Sequence, residues 1–176
     1  MRFSRRFLVA LGLVLLGSSL AVAAIVTKFL VSASQTNLLT TELNSLGNNS
    51  YTSASSAIDF SVGQTNRDGY LFCSIQGKFT FAANPTANTG VTVWLLGTDD
   101  ASTYEDTPTS SIGLGRRPDA VLPVTTGTTA TNVRVEIRCP KGLIKAVAQN
   151  TGTGQAMGAS GNTIKILPFT PEGVLQ

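Results

Sequence analysis

The chain has 176 residues, 13 Lys and Arg against 10 Asp and Glu, two cysteines and no histidine. Without histidine, Ser-His-Asp and Cys-His catalysis are excluded, and so is the commonest transition-metal ligand. With 42% hydrophobic and 13% charged residues the chain is unlike a disordered one, and it is long enough for one domain with its own core.

Residues 1–23 differ from the rest. Met1–Arg6 is basic, Phe7–Leu20 is apolar and uncharged, and Ala21-Val22-Ala23 is a small-residue A-x-A site. That order is the layout of a secretory signal peptide. Cleavage there places the mature N-terminus at Ala24. The alternatives are a retained membrane anchor, since Phe7–Val26 is about a bilayer span in length, or an extension dispensable to the functional protein. Arg2, Arg5 and Arg6 carry all of the net charge of +3, so residues 24–176 hold ten basic and ten acidic side chains. A neutral domain has no basic footprint for nucleic acid.

An N-terminal arm, 24–69, follows. Leu38, Leu39, Leu43 and Leu46 fall at helical spacing, with Asn37 as a cap and Gly47-Asn48-Asn49 as a stop, which predicts a short helix over 36–49. Ala57–Val62 reads as a short strand, and Asn66-Arg67-Asp68-Gly69 as a turn.

From Tyr70 the period becomes two. Leu71, Cys73, Ile75, Phe79 and Phe81 share one face of a long strand, with a bend expected at Gly77. Val91–Leu96 is near-continuously apolar and reads as a central strand. Residues 97–119 form a long excursion. Ala120–Val124 contains Pro123 and so reads as an edge strand. Asn132–Cys139 alternates cleanly, with Val133, Val135, Ile137 and Cys139 inward and Arg134, Glu136 and Arg138 outward. Leu143–Gln149 is a further strand, and Asn162–Phe169 the last, ended by Pro171-Glu172-Gly173. Short strands with polar turns and no crossover helices predict an all-β fold. The expected architecture is an antiparallel β-sandwich over 70–176, jelly-roll or immunoglobulin-like.

Chemistry is sparse. Asp99, Asp100, Glu105 and Asp106 put four carboxylates on one loop. They would suit a hard cation, but the loop lacks the ligand alternation and glycine of an EF-hand, and solvated loop charges are the simpler reading. Trp94 with Tyr51, Tyr70 and Tyr104 would make a sugar-stacking platform only if displayed, and Trp94 sits in an apolar run that favours the core. Gly152-Thr153-Gly154 lacks the rest of a phosphate loop. Arg116-Arg117 lies in a Gly/Pro loop. Cys73 and Cys139 either form one disulfide or are two buried thiols. No catalytic, cofactor-binding or metal-binding residue is assigned, and the chain is not expected to be an enzyme.

Four segments taken together resemble a known group. They are Leu39–Asn49 (LTTELNSLGNN), Thr89–Asp106 (TGVTVWLLGTDDASTYED), Arg117–Val124 (RPDAVLPV) and Thr153–Phe169 (TGQAMGASGNTIKILPF). Their order and spacing, with Pro140–Asn150 between the last two, resemble a family of small tailed-bacteriophage virion proteins found among head and tail structural genes. The closing Gly154–Pro168 segment carries most of the likeness, which spans much of 39–169. The resemblance implies a β-sandwich subunit of a particle, a capsid decoration protein or another accessory head or tail component. It implies contacts with the major capsid protein or neighbouring subunits, self-association, no catalytic residue and no cofactor. Membrane association follows only if residues 1–23 are retained. The signal-like front departs from the family pattern and fits better with the rival reading, a secreted or cell-surface β-sandwich that binds carbohydrate or adheres. For a virion subunit, the Leu38–Leu46 region and the loops 97–119 and 151–161 are the expected contact elements. Its overall neutrality predicts attachment that depends weakly on salt.

Overall fold

The computed structural model describes residues 25–31, 35–60, 70–105, 117–128 and 131–175. The signal-like segment, the turn at 66–69 and residues 106–116 of the 97–119 excursion lie outside them. The chain divides into two units, Met1–Lys28 with Pro171–Gln176, and Phe29–Thr170. In the smaller unit the described residues are strand, belonging to β1 (Ile25–Val31) and to the end of β9 (Thr163–Leu175). β9 therefore continues past Pro171, where the sequence predicted its end; β1 is its neighbour in the strand order.

The larger unit is all-β and sandwich-like, two four-stranded antiparallel sheets around one core. The first sheet has the order β2 (Thr36–Leu39), β9, β4 (Phe72–Phe79), β7 (Thr131–Arg138). The second has the order β3 (Ile58–Phe60), β8 (Gly142–Thr151), β5 (Thr89–Gly97), β6 (Ala120–Val124). The pairings are nested: β2 with β9, β3 with β8, β4 with β7, β5 with β6. Such nesting is what one long antiparallel hairpin, its tip between β5 and β6, would give when rolled up; the pairs β4–β9 and β5–β8 close the roll. The segment that the sequence placed in an arm thus supplies β2 to the first sheet and β3 to the second.

The core follows from strand alternation. Cys73, Ile75 and Phe79 of β4 and Ile164 and Ile166 of β9 meet Val91, Val93 and Leu95 of β5, Leu122 of β6 and Ile144, Ala146 and Ala148 of β8 in a single buried cluster. At about 25 cal/mol per Å² of apolar area, each large buried side chain here contributes roughly 1.5–3 kcal/mol.

The helix expected over 36–49 is instead β2 followed by a three-residue 3-10 turn, Thr41–Leu43. The edge of β9 offers this segment a ladder, and a register irregularity between Asn37 and Leu39 changes which face the residues present. Leu38, Leu39, Leu43 and Leu46 all enter the core, the same burial a helix would have achieved. A helix this short is marginal in water on its own, so tertiary pairing decides.

Gly77 introduces no bulge into β4. The β4–β7 register runs unbroken from Phe72–Arg138 to Phe79–Thr131. A Cβ at Gly77 would lie 2.5 Å from the Phe79 ring, so the glycine makes room for that ring.

β5 is covered on both faces. Val91, Val93 and Leu95 face the core, while Trp94 and Leu96 form a second cluster with Val147, against which Tyr51 and Ala54 pack. The covering segment, 51–55, has no periodicity of its own and is held to β8 partly by hydroxyls. Thr52 N donates to Ala148 O (2.9 Å) and Ala148 N to Thr52 Oγ1 (3.0 Å). Ser55 N donates to Ala146 O (2.9 Å) and Ala146 N to Ser55 Oγ (2.8 Å). The side-chain oxygens take the place of ladder carbonyls, so no buried amide there is stranded.

Candidate functional site

Three connections meet at one end of the sandwich: 40–57 between β2 and β3, 80–88 between β4 and β5, and 152–162 between β8 and β9. Two buried asparagines weld them. Asn150, fully buried at the end of β8, donates through Nδ2 to Leu46 O (3.1 Å), Gly47 O (3.2 Å) and Gln155 O (2.8 Å). Its Oδ1 accepts from Thr153 Oγ1 at 2.6 Å. Asn162 accepts from Thr80 N (2.8 Å) and Thr80 Oγ1 (3.1 Å), and donates to Gly158 O (2.7 Å) and Asn44 Oδ1 (3.3 Å). Backbone bonds add to this: Met157 N to Leu46 O, Gly158 N to Thr80 O, Ala82 N to Ala156 O and Thr86 N to Thr153 O.

Residues 44–50, 82–88 and 152–161 contain no Lys, Arg, Asp or Glu. Their outward positions include Asn48, Asn49, Ala83, Asn84, Ala87, Ala159 and Ser160, all exposed. The result is a cross-braced, uncharged surface. It suits protein contact for two reasons: charges are depleted from interface cores because burying them unpaired is costly, and a braced surface loses little freedom on binding.

This changes which predicted contact residues can serve. Leu38, Leu39, Leu43 and Leu46 are in the core and cannot line a contact face; the residues between and after them can. The 151–161 loop reads as flexible in sequence but has Thr153 and Met157 buried and is fixed by the bonds above. The glycines of Gly152-Thr153-Gly154 have positive φ, and their amides are taken by Asn49 Oδ1 (2.9 Å) and Asn48 Oδ1 (2.9 Å), not offered to a phosphate. Sequence reasoning missed Asn150, Asn162, Thr80 and Thr153. Their only signal was the presence of Asn150 and Asn162 in the segments that carry the family resemblance.

The acidic loop follows the end of β5, an inner strand of the second sheet, and is organised by its own carboxylates. Asp100 Oδ1 accepts from Thr103 N (2.6 Å), Ser102 N (2.9 Å) and Thr98 Oγ1 (3.0 Å). The Thr103 and Ser102 amides hold its carboxyl well below the usual carboxylate range. Glu105 Oε2 accepts from Gly97 N (3.1 Å), closing the loop base. Lys145 Nζ sits 4.3 Å from the centre of the Tyr104 ring. Asp106 is outside the described residues, among which no three His, Cys, Asp or Glu side chains group as metal ligands.

Because the Asp100 pKa is depressed by folding, its hydrogen bonds are intact above the ordinary carboxylate range and are lost only in stronger acid. Asp100→Ala is expected to speed amide exchange at Ser102 and Thr103 at neutral pH while leaving the global unfolding midpoint unchanged. Unchanged exchange would show that the loop is held otherwise.

The aromatic platform is not assembled. Trp94 is 6% exposed, with the Tyr51 ring 5.8 Å away over it, and Tyr104 is under Lys145. The Trp94 indole N–H has no hydrogen-bond partner among the described residues, so this side chain acts by packing. Arg117 is exposed, and Arg116 is outside the described residues. On the outer face of the first sheet Gln35, Gln76, Lys78, Arg134 and Lys165 border an open groove of about 420 Å³. Cys73 and Cys139 form a disulfide, with Cα atoms 4.8 Å apart. No family model, curated protein or solved structure matches this chain.

Proposed function

We propose that the protein is a non-enzymatic structural subunit of a tailed-bacteriophage virion, a capsid decoration or accessory head or tail protein, and that its eight strands β2–β9 are a jelly roll. The nested strand order carries the fold reading. Pairs 2–9, 3–8, 4–7 and 5–6, closed by 4–9 and 5–8, support the wrapping of a jelly roll over the order of an immunoglobulin sandwich. Jelly rolls serve in viral capsids and in lectins alike, so fold alone does not choose between them. The braced, uncharged loop end supports the first: it suits a broad neutral protein surface, whereas a sugar site would display an aromatic floor that Trp94 and Tyr104 do not supply. The disulfide fits a particle that persists outside the cell.

In this reading the partner is the major capsid protein or a neighbouring subunit, reached through the 44–50, 82–88 and 152–161 loops. The protein self-associates on the particle, and nucleic acid is not a ligand. Retention on purified particles is expected to change little between about 50 and about 500 mM salt, because the contacting loops carry no charge to screen. Ala159→Glu, which places a charge on that exposed end, is expected to cut retention about tenfold without altering the unfolding midpoint. A parallel glycan panel tests the rival. Saturable sugar binding with no particle association would overturn the virion reading in favour of an exported carbohydrate-binding or adhesive module.

A further inference from the structure

The edge strand β7 has features that the loop end does not explain. Among the described residues it pairs with β4 alone, leaving its other side unpaired. Edge strands are usually kept short, broken by proline, bulged, or lined with charged side chains, and of these β7 has only the last. Three other edges follow that rule: β3 has three residues, β2 has four and an irregular register, and β6 has five with Pro123 among them; β1, seven residues beside β9, does not. β7 has eight residues, TNVRVEIR, with no proline or glycine and a continuous register.

Its inward face is incompletely covered. Ile75 of β4 and Ile164 and Ile166 of β9 are fully buried, while Val133, Val135 and Ile137 of β7, on the same face, are only half-buried. Its outward face carries Asn132, Arg134, Glu136 and Arg138, all exposed. Arg134 Nη2 and Glu136 Oε1 form a 2.8 Å ion pair along the strand, a solvated contact of little worth by itself.

We propose that β7 pairs with β7 of a second copy, antiparallel about a two-fold axis at Val135, joining the first sheets of the two copies into one continuous sheet. The charge pattern selects the partner and the register. With the axis at Val135, Arg134 stands opposite Glu136 of the second copy and Glu136 opposite Arg134, while Arg138 meets Asn132. On the inner face Val135 meets Val135, and Val133 meets Ile137. An axis at Arg134 or Glu136 would set like charges opposite each other, which destabilises a strand pair. An odd shift would turn valines onto the charged face. An axis at Ile137 also matches Glu136 with Arg138 but runs off the end of the strand after Arg138. The Val135 axis alone satisfies both faces over the full length from Asn132 to Arg138, and it is isologous, so it closes at a dimer. It completes the burial of the three half-covered apolar residues and gives the free strand edge its hydrogen bonds.

This gives a geometry to the self-association proposed above and stands apart from attachment to a particle, which uses the loop end. The test is sedimentation of the full-length protein in solution over a concentration series. The wild type is expected to dimerise, with amide protection along β7 rising with concentration. Arg134→Glu is expected to raise the dissociation constant about tenfold or more, since two opposite-charge pairs per dimer become like-charge pairs. Arg134→Glu combined with Glu136→Arg is expected to return it to within about threefold of wild type, because the swapped pairs match again. Urea unfolding of each variant separates lost dimerisation from lost stability. The proposal is overturned by a wild type that stays monomeric throughout, by a dimer indifferent to Arg134→Glu, or by failure of the double swap to restore it. Particle retention unaffected by these variants would leave the virion reading untouched.

Discussion

Removing the Cys73–Cys139 bond, by Cys73→Ala with Cys139→Ala, is expected to lower the unfolding free energy by about 4 kcal/mol. The bond joins residues 66 apart in sequence, and in the chain-entropy account closing a loop of that length costs the unfolded state about that much freedom. The placement of the bond argues that its full effect will be felt. Cys73 lies on β4 opposite Ile137 of β7, and Cys139, just past the end of β7, donates its amide to Leu71 O at 3.1 Å. The bond therefore ties β7 to β4 at one end of the first sheet, and everything from β4 through β5 and β6 to β7 hangs inside the closed loop. In a domain of this size the loss corresponds to roughly 10–15 °C in Tm. Urea unfolding of the oxidised wild type beside the double variant measures it. A difference under about 1 kcal/mol would show that the unfolded chain is already confined without the bond.

The sequence shows this bond as a possibility and no more, for a physical reason. Alternation puts Cys73 and Cys139 on inward faces, but whether two strands lie side by side depends on pairings far apart in the chain. The same division runs through the fold. β4, β5, β7 and β8 are legible because period-two alternation, or an unbroken apolar run, is written into each strand by its own burial. The order of those strands is not legible, because nesting is a property of the set. The leucines of 38–46 show where local pattern misleads: they carry helical spacing, yet they are buried by a short irregular strand and a 3-10 turn, since an available ladder on β9 outweighs a marginal helix. Thr52 and Ser55 show a different blindness. Their hydroxyls complete the backbone ladder of β8, a role that leaves no periodic trace.

The candidate site was legible in composition and illegible in position. The uncharged runs around 44–50, 82–88 and 152–161 are visible in the sequence, but each alone looks like an ordinary polar loop. Only the rolled-up topology brings them to one end. There the residues that matter most for the surface are buried beneath it, and single-sequence reasoning has no reason to prefer Asn150 over the chain's other asparagines.

Asn150→Ala is accordingly expected to be among the most damaging single changes at a polar position, costing about 2–4 kcal/mol. It takes one partner each from the Leu46, Gly47 and Gln155 carbonyls, which keep Met157 N, Ser50 N and Thr153 Oγ1, removes an acceptor from Thr153 Oγ1 and leaves a buried cavity, so each lost bond costs about 1 kcal/mol and not the penalty of an unsatisfied group. Asn150→Asp separates hydrogen bonding from cavity formation. It keeps the volume and the acceptor for Thr153, but at neutral pH it turns a carboxylate toward three carbonyls. Its pKa in the folded state should therefore rise, and the penalty should shrink as pH falls through that raised value, because the protonated form regains a donor. Amide exchange supplies the local readout. Both variants are expected to expose the amides of 46–50 and 152–157 before those of β4, and to weaken particle retention before the sheets unfold. An Asn150→Ala variant within about 1 kcal/mol of wild type would mean that the loops brace one another without it, and that the backbone bonds from Met157 and Gly158 hold the end together.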